Sequence, residues 1–268
     1  MYLLPLLLLS LSAHASQPSL NEDAIYHGKA AAADGQTWKS TVALNFDSPD
    51  GKSYACTGVF IEDDLILTAA HCRIKNGGRV DITFYKNNDP ANSQVIEVTG
   101  DEFKYAPNPR YRKSSAYDPG TDDVAVLVLK DQRLPDGFEA ASIQTASIVS
   151  ASDPGRSVYV AGTGLTHTGA FADRILFAQG TIFTYLDGSV MQVSFPAGVG
   201  VCGGDSGGPV FVRSNGKLFL SALTTSTPDD LAAECGNTLY ANGITADRFT
   251  WIESAASHLR ASFSTSSK

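Results

Sequence analysis

The sequence predicts an all-β fold of two antiparallel six-stranded β-barrels followed by a C-terminal α-helix. Short apolar segments divided by turn residues recur from Thr41 onward, which is typical of antiparallel strands. A turn-rich connector over about 131–154 separates two sets of these segments. Only about 246–261 has apolar residues at three- and four-residue intervals, as in a helix that packs on one face. We therefore expect barrel 1 over about 25–130, barrel 2 over about 150–245 and the helix over about 246–261.

Each set contains six segments with the length and composition of strands. Six strands in each set fit two antiparallel barrels. The candidate strands of the first set are 41–46, 54–61, 65–70, 79–85, 94–99 and 124–129, and those of the second set are 157–162, 175–182, 191–195, 209–212, 218–224 and 238–241.

The first residues have the pattern of an export signal. A leucine-rich apolar run is followed by Ala13-His14-Ala15, a small-x-small cleavage pattern, so residues 1–15 are predicted to be a secretory signal peptide. No later segment has the 18 or so apolar residues of a membrane span. The formal net charge of −8 at pH 7 argues against nucleic-acid binding. We expect a secreted, extracellular monomer that binds neither a membrane nor nucleic acid.

The chain has four cysteines, Cys56, Cys72, Cys202 and Cys235. In an exported chain they indicate two disulfides, although four cysteines allow three pairings. A zinc site is the competing interpretation, but no Cys-x-x-Cys pair is present. We therefore predict no metal site.

The glycine-rich stretch 202–209 reads Cys-Gly-Gly-Asp-Ser-Gly-Gly-Pro and surrounds one hydroxyl group, that of Ser206. Glycines allow a substrate to approach the backbone, so the amides of Gly204 and Ser206 could form an oxyanion hole. A glycine-rich hairpin turn is the alternative interpretation. A serine nucleophile needs a base to accept its proton and an acid to orient that base.

A histidine and an aspartate occur in suitable frames. His71 lies in Thr-Ala-Ala-His-Cys, directly after an apolar strand, and Asp122-Asp123 directly precede another. If this segment is extended, the two aspartates point to opposite faces, so only one of them can reach His71.

These motifs, in the order His, Asp, Ser, resemble those of the chymotrypsin/trypsin family of serine endopeptidases. The resemblance implies that Ser206 is the nucleophile, His71 the general base and Asp123 the acid that orients it. Asp123 is preferred because the family's acid directly precedes a small hydrophobic residue and then Ala. Asp122 is then expected to be a solvated loop carboxylate. The barrels would carry His71 and Asp123 on one unit and Ser206 on the other, with the active site in the cleft between them.

The resemblance also implies the disulfides Cys56–Cys72 and Cys202–Cys235, and a reaction that needs no cofactor. The expected partners are protein or peptide substrates and proteinaceous inhibitors. The serine protease domain would span 25–268.

The resemblance places Gly200 at the base of the primary pocket, where trypsin-like members carry an aspartate. Thr224 and Ser226 would lie on the pocket-wall strand. Ser226 and Thr238 would take two wall positions that are glycines in members that accept long or aromatic side chains. Because Gly200 supplies no charge and two hydroxyl-bearing residues narrow the walls, we predict a preference for small or medium uncharged P1 residues. Asp229, Asp230 or Glu234 could supply an acid that this alignment misses.

The segment Ile25-Tyr26-His27-Gly28 resembles the mature start of the family, Ile-Val-Gly-Gly. Residues 16–24 would then be a propeptide, and the freed ammonium group of Ile25 would pair with Asp205. The predicted function is that of a secreted serine endopeptidase made as a zymogen. One alternative is a protease-like binding protein that has lost turnover. A secreted esterase is another, but its triad order, Ser, Asp, His, differs from the order found here.

Overall fold

The computed structural model describes residues 25–31, 35–113, 120–131, 134–143, 154–186, 189–228 and 235–265. The predicted signal peptide and propeptide lie outside the described residues. So do Asp229, Asp230 and Glu234, the acids considered for the primary pocket.

Within the described residues the chain forms fourteen strands and two α-helices. The strands are β1 Lys29–Ala30, β2 Thr41–Asp47, β3 Ser53–Glu62, β4 Leu65–Thr68, β5 Arg79–Tyr85, β6 Ser93–Thr99, β7 Phe103–Pro107, β8 Ala125–Leu129, β9 Ser157–Gly162, β10 Leu176–Leu186, β11 Val190–Ser194, β12 Pro209–Ser214, β13 Lys217–Ser226 and β14 Thr238–Gly243. The helices are α1 Gln36–Ser40 and α2 Ala246–Thr265.

The C-terminal sheet is a closed barrel. Its strand order is β1-β10-β11-β14-β13-β12-β9, and β9 also pairs with β10, which closes a ring of six strands with β1 at its side. All pairings within it are antiparallel. Alternate apolar side chains fill the interior, as small barrels require.

The N-terminal sheet has seven strands in the order β6-β5-β2-β3-β4-β8-β7 and curls into a half-barrel. The predicted all-β class with two strand sets and a C-terminal helix is therefore confirmed. Three short elements were not predicted, namely α1, β1 and β7. The strand β7 lies at the sheet edge, where its terminal Pro107 removes no inner ladder hydrogen bond.

Helix α2 packs on the outside of β8. Its buried side chains Ile252, Ala256 and Phe263 join the apolar cluster between the two sheets. Near its end, Arg260 binds the turn between β3 and β4, with its Nε 2.9 Å from an Asp64 carboxylate oxygen. None of the described helices is long and apolar enough to cross a membrane.

Two disulfides join Cys56 to Cys72 and Cys202 to Cys235, which is the pairing that the resemblance implied. The first ties β3 to the short 3-10 turn Ala70–Cys72. The second links the segment before Ser206 to the segment before β14. Each disulfide therefore anchors a loop that carries predicted site residues.

We expect Leu127→Ala to lower the free energy of unfolding by about 2–5 kcal/mol, because the lost side chain leaves a cavity in the core. Leu127 is fully buried in β8, between β4 and β7. The matched control is Val95→Ala in β6, where the residue is 57% exposed and a change within about 0.5 kcal/mol is expected. Denaturant unfolding followed by circular dichroism measures both values. Equal effects of the two substitutions would contradict this description of the core.

Candidate active site

His71 lies at the end of a fully buried strand. The four residues of β4 are all buried, and the chain then turns through Ala70–Cys72 and leaves by Arg73 at a left-handed φ of 55°. The disulfide from Cys72 to Cys56 holds this turn against β3. The His71 side chain is 26% exposed, so its ring reaches the surface while its backbone is fixed.

Asp123 is fully buried and binds His71 twice. The backbone N–H of His71 donates to Asp123 Oδ1 at 2.9 Å, and the ring Nδ1 lies 2.7 Å from Oδ2. Both carboxylate oxygens are therefore occupied by one residue. Because the backbone contact fixes the carboxylate and the second contact fixes the ring, the imidazole has one orientation.

Ser206 completes the arrangement from the other sheet. Its Oγ lies 2.8 Å from His71 Nε2, on the side of the ring opposite Asp123. Its carbonyl oxygen accepts a hydrogen bond from the Thr57 N–H in β3 at 2.8 Å. A continuous line of hydrogen bonds thus runs from Asp123 through His71 to Ser206, and such a line allows a histidine to accept a serine proton.

The backbone around Ser206 requires glycine. Gly204 has φ of +97° and Gly207 has φ of +80°, values that other residues rarely adopt. A Cβ atom on Gly204 would also lie 2.7 Å from Cε1 of Phe171, whose half-exposed ring covers this turn. The Gly207 N–H donates to the Thr224 carbonyl at 2.7 Å, which anchors the turn to β13.

The predicted oxyanion donors have defined directions. The Gly203 carbonyl accepts from the Leu165 N–H at 2.8 Å, so the N–H of Gly204, on the same trans peptide, points the other way. The Gly204 carbonyl accepts from Thr57 Oγ1 at 2.9 Å. Within the described part of the chain, neither the Gly204 N–H nor the Ser206 N–H donates a backbone hydrogen bond.

Asp205 points away from His71 into the second barrel. Its oxygens accept from the Gly164 N–H at 2.8 Å and the Cys202 N–H at 2.9 Å. Burial raises the pKa of this carboxyl group to about 7, although the two hydrogen bonds act in the opposite direction. Ile25 is fully buried, but no ion pair with Asp205 is present among the described residues.

Of the residues predicted to line the primary pocket, Thr224 binds the turn around Ser206, because its carbonyl accepts from the Gly207 N–H at 2.7 Å. Gly200 packs against Gly236, and a Cβ on Gly200 would overlap the Gly236 carbonyl oxygen. Thr224 and Ser226 lie in β13, Thr238 begins the neighbouring β14, and all three side chains are buried or half-buried. The Oγ1 of Thr224 and the Oγ of Ser226 are buried without a hydrogen-bond partner among the described residues.

Two contacts near the site were missed by sequence reasoning. Asp122, predicted to be solvated, has a side chain only 18% exposed that lies 2.8 Å from Nε of the buried Arg248. Thr57 holds the Gly204 carbonyl from the other sheet. A charged residue next to the predicted acid and an arginine in the first turn of α2 were the available signals for the first contact.

No group of His, Cys, Asp and Glu suited to a metal ion occurs in the described ranges.

Comparisons with known proteins find a matching family and several relatives. The family described as Trypsin matches residues 25–242. Granzyme-like protein 1 of Rattus norvegicus is 28% identical over 146 residues, or 52% of this chain and 53% of that protein, so the chain spans about half of that relative. Kallikrein-8 of Homo sapiens is 28% identical over 218 residues, covering 76% of this chain and 78% of the relative.

Similarity in fold extends to a solved structure described as "Structure of GrC". That structure has a TM-score of 0.67 and 20% identity, and the match covers 86% of this chain and 99% of that chain. At this identity the likeness shows the fold alone. The family match, by contrast, extends over residues 25–242, which is most of the sequence. The chain therefore belongs to the trypsin-like family of serine proteases.

Proposed function

We propose that this chain is a serine endopeptidase that cleaves peptide bonds through an acyl-enzyme intermediate. The line of hydrogen bonds from Asp123 through His71 to Ser206, at 2.7 and 2.8 Å, is the observation that supports this function most directly. A protease-like binding protein without turnover has no need to keep three side chains in this register. Nothing in the geometry favours that alternative.

In the proposed acylation step, Ser206 Oγ attacks the scissile carbonyl carbon as His71 Nε2 takes the hydroxyl proton. The N–H groups of Gly204 and Ser206 stabilise the negative charge that develops on the carbonyl oxygen. His71 then gives its proton to the leaving amine, and the C–N bond breaks. Asp123 stabilises the imidazolium that exists between these two transfers, since its carboxylate is held at the ring.

Deacylation repeats the sequence with water. A water molecule gives its proton to His71 Nε2 and attacks the acyl carbon, and the bond to Ser206 Oγ breaks as His71 returns the proton to that oxygen. The products are the acid and the restored enzyme. No step needs an electron acceptor or a bound cofactor.

We propose activation by cleavage between Ala24 and Ile25. In the uncut chain Ile25 is buried with φ of 43°, which is an unfavourable conformation for a β-branched residue. Asp205 is fully buried, and the Gly200 N–H donates to the Tyr26 carbonyl at 3.1 Å, which ties the segment after Ile25 to the segment that leads to Asp205. A free ammonium group at Ile25 would remove the unfavourable φ of this residue and would supply a counter-charge for Asp205. This proposal assigns residues 16–24 to a propeptide.

We further propose export to the extracellular space, supported by the leucine-rich run and small-x-small pattern of residues 1–15. The substrates would be proteins or peptides with small or medium uncharged P1 residues. Gly200 supports this preference because its contact with Gly236 leaves no room for a side chain that could bear a counter-charge. We expect the active form to be monomeric and open to proteinaceous inhibitors.

The first test is Ser206→Ala. Removing the nucleophile is expected to lower kcat by several orders of magnitude while leaving the fold unchanged. Hydrolysis of a peptide library and covalent labelling by a serine-directed phosphonate measure this loss. The control is Ser214→Ala, at the far end of β12, which should retain both properties. Activity that survives in Ser206→Ala would refute the proposed mechanism.

The second test concerns the primary pocket. We expect kcat/KM to be highest for P1 Ala, Val, Thr or Leu. The double variant Ser226→Gly/Thr238→Gly should raise kcat/KM for P1 Phe relative to P1 Ala by roughly 10- to 100-fold, because one or two methylene-sized groups are worth about 1–3 kcal/mol. Ser214→Gly is the control for a lost side chain elsewhere. Cleavage confined to P1 Arg and Lys would show that the pocket assignment is wrong.

The third test is the pH dependence of stability. In the uncut chain Asp205 keeps its proton up to pH of about 7, whereas its unperturbed pKa is 3.8. Between these values the folded state binds the proton that the unfolded state has lost, so the free energy of unfolding falls as pH rises, by about 4 kcal/mol in all. This fall should be absent in Asp205→Asn and in chain cut before Ile25, where the ammonium group pairs with the carboxylate.

Denaturant unfolding across pH 4–8 measures the slope of the free energy of unfolding against pH for each chain. A Ser206→Ala background prevents self-digestion. Mass spectrometry confirms that the cut chain starts at Ile25. Identical slopes in the uncut chain and in Asp205→Asn would contradict the described environment of Asp205. Full peptidase activity in uncut chain that retains Ser206 would overturn the proposed activation.

A further inference from the structure

A buried ion pair lies directly behind the proposed catalytic acid. The Arg248 side chain, in the first turn of α2, is 3% exposed, and its Nε donates to Asp122 Oδ1 at 2.8 Å. Arg110 donates to the same oxygen from the surface at 3.3 Å. Burial of a guanidinium group is unfavourable unless its N–H donors are hydrogen-bonded and its charge is paired. The burial of Arg248 therefore depends on its contacts with Asp122 and with the surrounding acceptors.

The backbone at Asp122 is bent sharply. Its φ is +54°, and its carbonyl accepts a hydrogen bond from the Val124 N–H at 2.8 Å, which closes a turn around Asp123. This turn sends the two adjacent carboxylates in opposite directions, Asp123 to His71 and Asp122 to Arg248. The direction of the Asp123 side chain is therefore coupled to the conformation of Asp122.

The remaining donors of Arg248 bind the second barrel. Its Nη1 donates to the carbonyl oxygens of Ser189 at 3.0 Å and Gly243 at 2.6 Å, and its Nη2 donates to Ser189 Oγ at 3.1 Å. Asn242, next to Gly243, donates from its side chain to the Gly120 carbonyl at 3.2 Å. The second barrel thus holds the segment before Asp123 at two points.

We propose that Arg248 and Asp122 are positioning residues for the proposed reaction. Together they hold the left-handed turn that aims Asp123 at His71, and they fix this turn to the barrel that carries Ser206. Neither side chain contacts His71, Ser206 or the reacting atoms. The inference rests on the proposed peptidase function, but the geometry of the Asp123–His71 pair can be measured without turnover.

The decisive variant is Asp122→Ala. It removes the carboxylate that accepts from Arg248, and it replaces aspartate, which tolerates positive φ, by alanine, which does not. We expect kcat per active site to fall about 10- to 100-fold with KM changed less than about threefold, because a small displacement of a catalytic group has effects of this size. Asp122→Asn keeps an acceptor oxygen and favours positive φ, so it should restore kcat to within about threefold of wild type. Titration with a serine-directed phosphonate gives the number of active sites.

The matched control is Arg260→Gln, which breaks the ion pair with Asp64 near the other end of α2. It should lower the midpoint of thermal unfolding without changing kcat per active site. The low-field proton NMR signal of the hydrogen shared by His71 Nδ1 and Asp123 provides a second readout. We expect this signal to be lost in Asp122→Ala and kept in Asp122→Asn and Arg260→Gln.

Unchanged kcat and an unchanged NMR signal in Asp122→Ala would overturn the positioning role. So would an equal loss of kcat in Arg260→Gln, because helix docking in general would then be the cause. If the wild-type chain has no peptidase activity, the proposed function fails, and the NMR comparison alone decides whether the Asp122–Arg248 ion pair orients Asp123.

Discussion

The pairing of Asp123 with His71 is the interaction on which the arrangement of this molecule depends. A fully buried carboxylate without partners is strongly unfavourable, and here both of its oxygens are bound by one residue. His71 must therefore present its backbone N–H and its ring Nδ1 to the same carboxylate. The short turn Ala70–Cys72, held by a disulfide, provides this geometry, and β4 and β8 bring the two segments together.

Contacts between the two sheets determine where the hydroxyl group lies relative to the imidazole. Thr57 in β3 binds both the Ser206 carbonyl and, through its side chain, the Gly204 carbonyl. Thr224 in β13 binds the same turn from the other side. Ser206 is thus placed by hydrogen bonds from both sheets.

Local patterns explain which parts could be predicted from sequence. Short apolar segments divided by turn residues identified most strands, and the frames around His71 and Ser206 identified the proposed site, because these signals lie in consecutive residues. The strand β7 was missed because it is short and ends in a proline. The ion pair of Asp122 with Arg248 was missed because it joins residues 126 positions apart. Each residue carries a charge that suggests an ion pair, but neither local sequence identifies the other residue as the partner.

The burial of Asp205 restricts how this protein can change over evolution. A Cβ atom at Gly164 would lie 2.7 Å from the Asp205 carboxyl carbon, and one at Gly162 would lie 2.9 Å from it. Neither glycine can acquire a side chain while the carboxylate occupies this space. A smaller residue at 205 would open the space but would remove the only carboxylate adjacent to Ser206 in the sequence. The three positions are therefore mutationally linked, and lineages can exchange them only together or in a fixed order that begins at 205.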